Sequence, residues 1–138
     1  MQALSLWEPW ATCIRVGYKT VETRSWGTNY RGNLLICAAK RNTIDLRRIS
    51  SQIRSYCPDL PDYDNLWFGQ AVAFCQLSDC VSTTHPKIKQ IIRQNPIEEM
   101  LGDYSSGRFG WILSEIQPIR QPFPVKGQQG LYQAYLPF

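Results

Sequence analysis

A chain of 138 residues, 43% of them hydrophobic, has the length of one domain and can bury a core without disulfides or metal. Its 15 Lys and Arg against 11 Asp and Glu leave a net charge of +4, a surplus that fits a basic patch and an ordinary soluble protein equally. The five cysteines, Cys13, Cys37, Cys57, Cys75 and Cys80, contain no CxxC pair, and with His85 as the only histidine a metal site has little to draw on. No run approaches the ~20 apolar residues of a membrane span, so no membrane partner is expected. The chain opens without a basic leader, and most cysteines sit in apolar runs such as Ala71–Cys75. Reduced core thiols in a cytoplasmic protein are the expectation.

Ala3 to Leu6 reads as a short first strand. Pro9 suits the first turn of a helix, Glu8 favours its dipole, and Gly17 fits the left-handed position that ends it. Trp10 belongs to the buried side of that helix. Leu34 to Ala39 is a continuous apolar run, hence a buried strand, and it stops abruptly at Lys40-Arg41. Asn42 or Thr43 caps a second helix with Leu46, Ile49, Ile53 and Tyr56 on one stripe. Arg47, Arg48 and Arg54 lie on its solvated face, and Pro58 stops it. Asp59 to Asn65 reads as a loop, and Gln70 to Val81 as the longest strand. Thr84 or His85 caps a third helix that opens at Pro86 and buries Ile88, Ile91 and Ile92; Ile97 to Leu101 adds at most one turn. Arg108 to Glu115 is a strand with Phe109, Trp111 and Leu113 on one side. Pro118, Pro122 and Pro124 punctuate an extended tail at an edge or rim, and Leu131 to Leu136 reads as a last strand. Strands scattered among helices without βαβ alternation predict an α+β class, one domain over 1–138.

Between the first helix and the apolar strand lies GYKTVETRSWGTNYRG, Gly17 to Gly32. Thr20-Val21-Glu22-Thr23-Arg24 alternates as a strand does, so Thr20, Glu22 and Arg24 share one face and Val21 and Thr23 the other. Lys19 stands at the strand entrance, and Trp26, Tyr30 and Arg31 follow its exit. Cations and flat aromatic faces converging on one turn are what a nucleotide or nucleic-acid site needs. Lys19, Glu22 and Arg24 are expected to line one cleft, with at least one of Trp7, Trp26 and Trp111 exposed at its wall. The expected partner is a nucleotide or a nucleic acid with unstacked bases, which can meet an aromatic face; no cofactor is expected. The other chemistry these residues allow is hydrolysis of RNA or a nucleoside. Lys19 and Glu22 would then be the catalytic pair, with Glu22 as base and Lys19 and Arg24 stabilising a phosphorane. A plain protein-interaction domain, with the aromatics forming a dry patch, is the third reading.

Gly17-x-Lys19-x-x-Glu22-x-Arg24 resembles the signature of the ASCH family, a group of small RNA-associated domains. The likeness extends to Leu4-Ser5-Leu6 and Pro9-Trp10-Ala11 before the motif, and to Ser25-Trp26, Tyr30-Arg31-Gly32 and Leu34-Leu35-Ile36 after it. Phe109-Gly110-Trp111 and Pro124-Val125-Lys126-Gly127 are a weaker echo, and none is evident from Asn42 to Gln70. The resemblance implies a PUA-like small β-barrel with flanking helices, places Lys126 with the site, and narrows the expected partner to single-stranded RNA or a modified nucleotide. It also implies an activity to consider. Relatives resemble amidohydrolases that remove an acetyl group from a modified cytidine, using the motif lysine, a threonine three residues later and a distant glutamate. Glu22 stands where that threonine would be, so the lysine is present and the nucleophile is not.

Overall fold

The computed structural model describes residues 1–138. Six strands, β1 (Gln2–Leu6), β2 (Val21–Arg24), β3 (Gly32–Ala38), β4 (Gln70–Ser82), β5 (Phe109–Pro124) and β6 (Leu131–Gln133), form one sheet in the order β2-β5-β4-β3-β1-β6. Four helices, α1 (Trp10–Arg15), α2 (Ile44–Arg54), α3 (Pro86–Gln94) and α4 (Pro96–Met100), complete the α+β fold. β1 runs parallel to β3, and every other pairing is antiparallel. The sheet curls into half a barrel. Across its open mouth, Arg24 Nη2 on the β2 edge donates to the backbone carbonyl of Ser5 in β1, the strand next to the other edge, at 2.8 Å. The expected PUA-like barrel is therefore present as an open, curled sheet. No helix is long and apolar enough to cross a membrane.

The apolar run in β3 is buried on both faces, which is why it does not alternate. Leu34 and Ile36 point into the inner core with Leu4, Leu6, Trp111 and Leu113. Leu35 and Cys37 face the opposite way, onto Ala3, Ile119, Phe123 and Tyr132. A third cluster under α2 joins Leu46, Ile53, Leu60 and Tyr63 to Cys13 and Leu101. All five cysteines are free, and all but Cys80 are buried.

Local signals set most element boundaries. The Glu8–Pro9 peptide is cis, and α1 begins directly after it. Glu8 is fully buried and receives both the backbone N–H and the hydroxyl of Thr12, at 2.9 and 2.6 Å, so it caps the helix from within the core. Gly17, with φ +94°, makes the turn that follows. Thr43 caps α2, and His85 caps α3 by accepting from the Lys87 N–H. The loop expected over Asp59–Asn65 contains a 3-10 turn at Tyr63–Asn65.

The main departure from expectation is β5, which does not end at Glu115. It continues through Pro118 and Pro122 to Pro124, paired with β4 for most of its length. The register breaks between the Ala73–Pro118 and Ala71–Phe123 pairs, where four residues of β5 stand against one of β4. Pro122 is tolerated in this bulge because no ladder N–H is required there, and Pro118 and Pro124 stand in the half of β5 that β2 does not pair. Arg15 fills the gap: Nη1 donates to the Val72 and Ile119 carbonyls at 2.8 and 2.6 Å, and its guanidinium lies 4.4 Å from the Trp67 ring centre.

Candidate functional site

β2 alternates as its sequence dictates. Val21 and Thr23 are buried, and Glu22 and Arg24 are partly open. Glu22 Oε2 accepts from Arg24 Nε at 3.0 Å, and Ser5 holds Nη2. The fork is thus fixed at two points, with Nη1 left without a partner in the chain. A guanidinium pinned this way loses little rotamer freedom when it meets an anion.

Lys19 does not join them at the surface. Its side chain is 1% exposed. Nζ donates to the Val21 and Leu101 carbonyls at 2.7 and 3.0 Å, and Glu22 Oε1 lies 3.5 Å away. The expectation that Lys19 lines the cleft is corrected: α4 covers the strand entrance and keeps its side chain beneath the surface. Glu98 of α4 is fully buried and accepts from the backbone N–H groups of Thr20 and Val21 and from the Thr20 hydroxyl. Burial pushes its carboxyl up from the ordinary range, and the two N–H groups and the Lys19 charge pull it back.

Beside this buried arrangement opens a cleft of about 1080 Å³. β2 and its exit contribute Glu22, Thr23, Arg24 and Trp26, and β1 and the start of α1 contribute Ser5 to Trp7 and Trp10. Lys40 borders it after β3, Met100 to Asp103 at the end of α4, and Val125 and Gly127 to Gly130 before β6. Trp7 is 50% exposed and Trp26 36%. The Arg41 guanidinium stacks 4.5 Å above the Trp7 ring. Arg108 also lines the cleft, tied to the Thr23 carbonyl and to Asp103.

Of the residues singled out in the sequence, the fold brings Glu22, Arg24, Trp7 and Trp26 together in this cleft. Trp111 is not a wall residue, because it is 0% exposed. It acts behind Trp26, whose ring it meets edge-on at 4.8 Å, and its Nε1 donates to the Trp26 carbonyl. Tyr30 and Arg31 fall outside the cleft. The Tyr30 hydroxyl donates to the Asn33 carbonyl, while Arg31 binds the Thr28 and Tyr30 carbonyls and pairs with Asp79. Lys126 is exposed but does not line the cleft, although Val125 and Gly127 on either side of it do. Trp10, read as core, packs on the inner cluster and also reaches the cleft. Sequence reasoning missed Lys40, Arg41, Arg108, Gln128, Gln129 and the buried Glu98. The one available signal was the sudden change from an apolar run to Lys40-Arg41, which marks a strand end at the cleft mouth.

A curled, mainly antiparallel sheet carrying helices, with a cleft at one mouth, defines a PUA-like domain. More narrowly, the chain belongs to the ASCH domain family, whose model matches residues 4–123 and so runs through the Asn42–Gln70 segment where no likeness is visible by eye. Activating signal cointegrator 1 of mouse and of human is 29% identical over 136 residues, covering 94% of this chain and 22% of each relative. The chain therefore spans about a fifth of the length of those relatives. Among solved structures, the ASCH protein of Zymomonas mobilis is similar with a TM-score of 0.52 at 18% identity, over 89% of this chain and 72% of that one. A point mutant of the same protein gives 0.51 at 19% identity, with the same coverage. At these identities the likeness establishes the fold.

Proposed function

We propose that this domain binds single-stranded RNA, or a nucleotide with an unpaired base, in the cleft beside β2. The observation that carries the reading is Arg24, anchored by Glu22 and the Ser5 carbonyl, in one cleft with the exposed rings of Trp7 and Trp26. A fixed guanidinium suits a phosphate, and each ring offers a face on which a base stacks whatever its identity. Lys40 and Arg108 on the walls, and Arg41 over Trp7, add positive charge around the same space. Membership of the ASCH family supports the assignment. The five free thiols are consistent with a reducing compartment such as the cytoplasm.

Binding is favoured over hydrolysis by the state of the two residues a hydrolase would need. Lys19 directs its protons to two backbone carbonyls and Glu22, beneath the surface. Glu22 is shared between Lys19 and Arg24, which makes it a holder of the cation. Titration of the protein with a U-rich decanucleotide, a duplex RNA and free nucleosides, followed by amide NMR shifts, tests the proposal. The single strand should move the amides of Glu22 to Trp26 and of Gly127 to Gly130, and the effect should fade as salt rises. Shifts confined to another face, or none with any ligand, would place the function elsewhere.

A further inference from the structure

The motif lysine is buried, yet it is not in the core by default. A lysine almost never goes fully inside unless its charge is met. Lys19 meets three oxygens from two elements: the Val21 carbonyl of β2, the Leu101 carbonyl that closes α4, and the Glu22 carboxylate. Glu98 answers from the opposite side. It projects from α4 and takes the N–H groups of Thr20 and Val21, at 2.9 and 2.7 Å. β2 and α4 are thereby clasped twice, once by a cation donating from the β2 side and once by a carboxylate accepting on the α4 side. Two elements of the cleft depend on this clasp. The segment Met100–Asp103, which contains Leu101, forms one wall, and Glu22 touches both Lys19 and Arg24.

We propose that Lys19 and Glu98 are positioning residues, a buried brace that aims Arg24 through Glu22 and fixes the Met100–Asp103 wall without touching the ligand. Lys19 thus serves ligand binding from behind the cleft. The use of Arg24 as a ligand contact rests on the binding function proposed above; the brace itself does not.

The wild-type protein gives the first test. Three fixed acceptors should make the Lys19 ammonium protons and the Arg24 Nε–H exchange far more slowly than those of surface side chains, as read by nitrogen-15 NMR. An ammonium signal that exchanges as fast as a surface lysine overturns the brace. The second test uses Lys19→Met, which keeps the length of the side chain, and Glu98→Gln, which keeps one acceptor oxygen. In either variant, confirmed folded by its amide spectrum, the Arg24 Nε–H protection should fall and the amides of Met100–Asp103 should broaden. Affinity for the U-rich decanucleotide should drop about tenfold, and the slope of log affinity against log salt should lose ~0.7, as expected when one phosphate contact goes. Simple destabilisation of a folded protein would not remove the ~0.7 of slope that one phosphate contact carries, and Glu98→Gln, which removes no positive charge, separates that loss from the loss of the Lys19 charge itself. If the wild type binds no RNA but Arg24 protection is lost in Lys19→Met, the brace stands and the binding reading fails. If the wild type binds and Lys19→Met retains both the Arg24 signal and the full slope, the brace fails and the binding reading stands.

Discussion

Replacing Arg24 is the sharpest probe of the cleft, because two different substitutions separate charge from geometry. Arg24 is fixed by one charge-assisted bond to Glu22 at 3.0 Å and one bond to the Ser5 carbonyl at 2.8 Å, leaving Nη1 free. A charge-assisted hydrogen bond from that nitrogen to a phosphate contributes ~1.5–3 kcal/mol. Arg24→Ala should therefore weaken RNA binding by about 10- to 150-fold. It should also lower the salt slope by ~0.7, the share of one phosphate on a single strand. Arg24→Lys keeps the charge and loses the planar fork, so it cannot hold Glu22, Ser5 and a phosphate oxygen in one plane. Its slope should stay at the wild-type value while its affinity falls between wild type and alanine. Fluorescence anisotropy of a labelled U-rich decanucleotide, measured across a series of salt concentrations, reads both quantities. The reasoning is refuted if Arg24→Ala leaves affinity and slope unchanged.

Trp26→Ala should lose ~1–3 kcal/mol of binding from one stacked base, and a further ~0.5–1.5 kcal/mol of stability from the edge-on contact with Trp111; anisotropy and urea denaturation measure the two separately, and a stability loss alone would remove Trp26 from the binding surface. Gly110→Ala should cost ~1–3 kcal/mol in urea denaturation by overpacking, since a Cβ there would stand 2.5 Å from Cδ1 of the fully buried Ile88 and 3.3 Å from Val21. Burial raises the Glu8 carboxyl above its ordinary value of 4.5, so the folded state holds that proton more tightly than the unfolded chain. The resulting stability is complete below 4.5 and lost as pH rises through the raised value. Wild type should accordingly lose stability relative to Glu8→Gln as pH rises above 4.5, with parallel urea curves at each pH as the check. Burial pushes the Cys13 and Cys75 thiols up to about 12 and Cys37 to about 11, while Cys80 is only partly covered. A thiol-specific disulfide reagent at mildly alkaline pH should find one fast cysteine in the native protein and all five after denaturation.

The local grammar of the chain was legible wherever a residue acts on its near neighbours. Pro9, Thr43, His85 and Gly17 mark helix ends, and the two-residue period of β2 assigns Glu22 and Arg24 to one face. Periodicity says which side chains share a face, but it cannot say what covers that face. Lys19 was misplaced for this reason, because the element that buries it is α4, distant in sequence, whose Glu98 looks like any surface acid of a short polar turn. The prolines of β5 misled in the opposite direction. They end the expected strand at Glu115 and leave an extended tail at an edge, whereas β5 runs on to Pro124: Pro122 sits in the bulge opposite Val72, filled from the side by Arg15, and Pro118 and Pro124 lie where β2 no longer pairs with β5. Trp26 and Trp111 are indistinguishable by composition; the first is a wall of the cleft and the second its fully buried backing, a difference in depth that only the folded arrangement sets. Lys40, Arg108, Gln128 and Gln129 reach the cleft only through the curl of the sheet, which no local pattern encodes.

The place of β6 in the sheet also orders events in time. β1 lies between β3 and β6, and its partners are Leu35–Ala38 on one side and Leu131–Gln133 on the other. During synthesis β1 emerges ahead of the other strands of the sheet and can pair with β3 early, but its second edge waits for Leu131–Gln133. Until then a row of unpaired backbone groups is presented to any passing strand, a hazard that grows with crowding. The three residues of β6 act as a late cover for that edge. The same segment carries Gly127 to Gly130 into position, so the last wall of the cleft arrives together with the cover. A domain that has not yet finished folding thus offers no completed cleft, and a ligand that grips this wall would hold the edge shut.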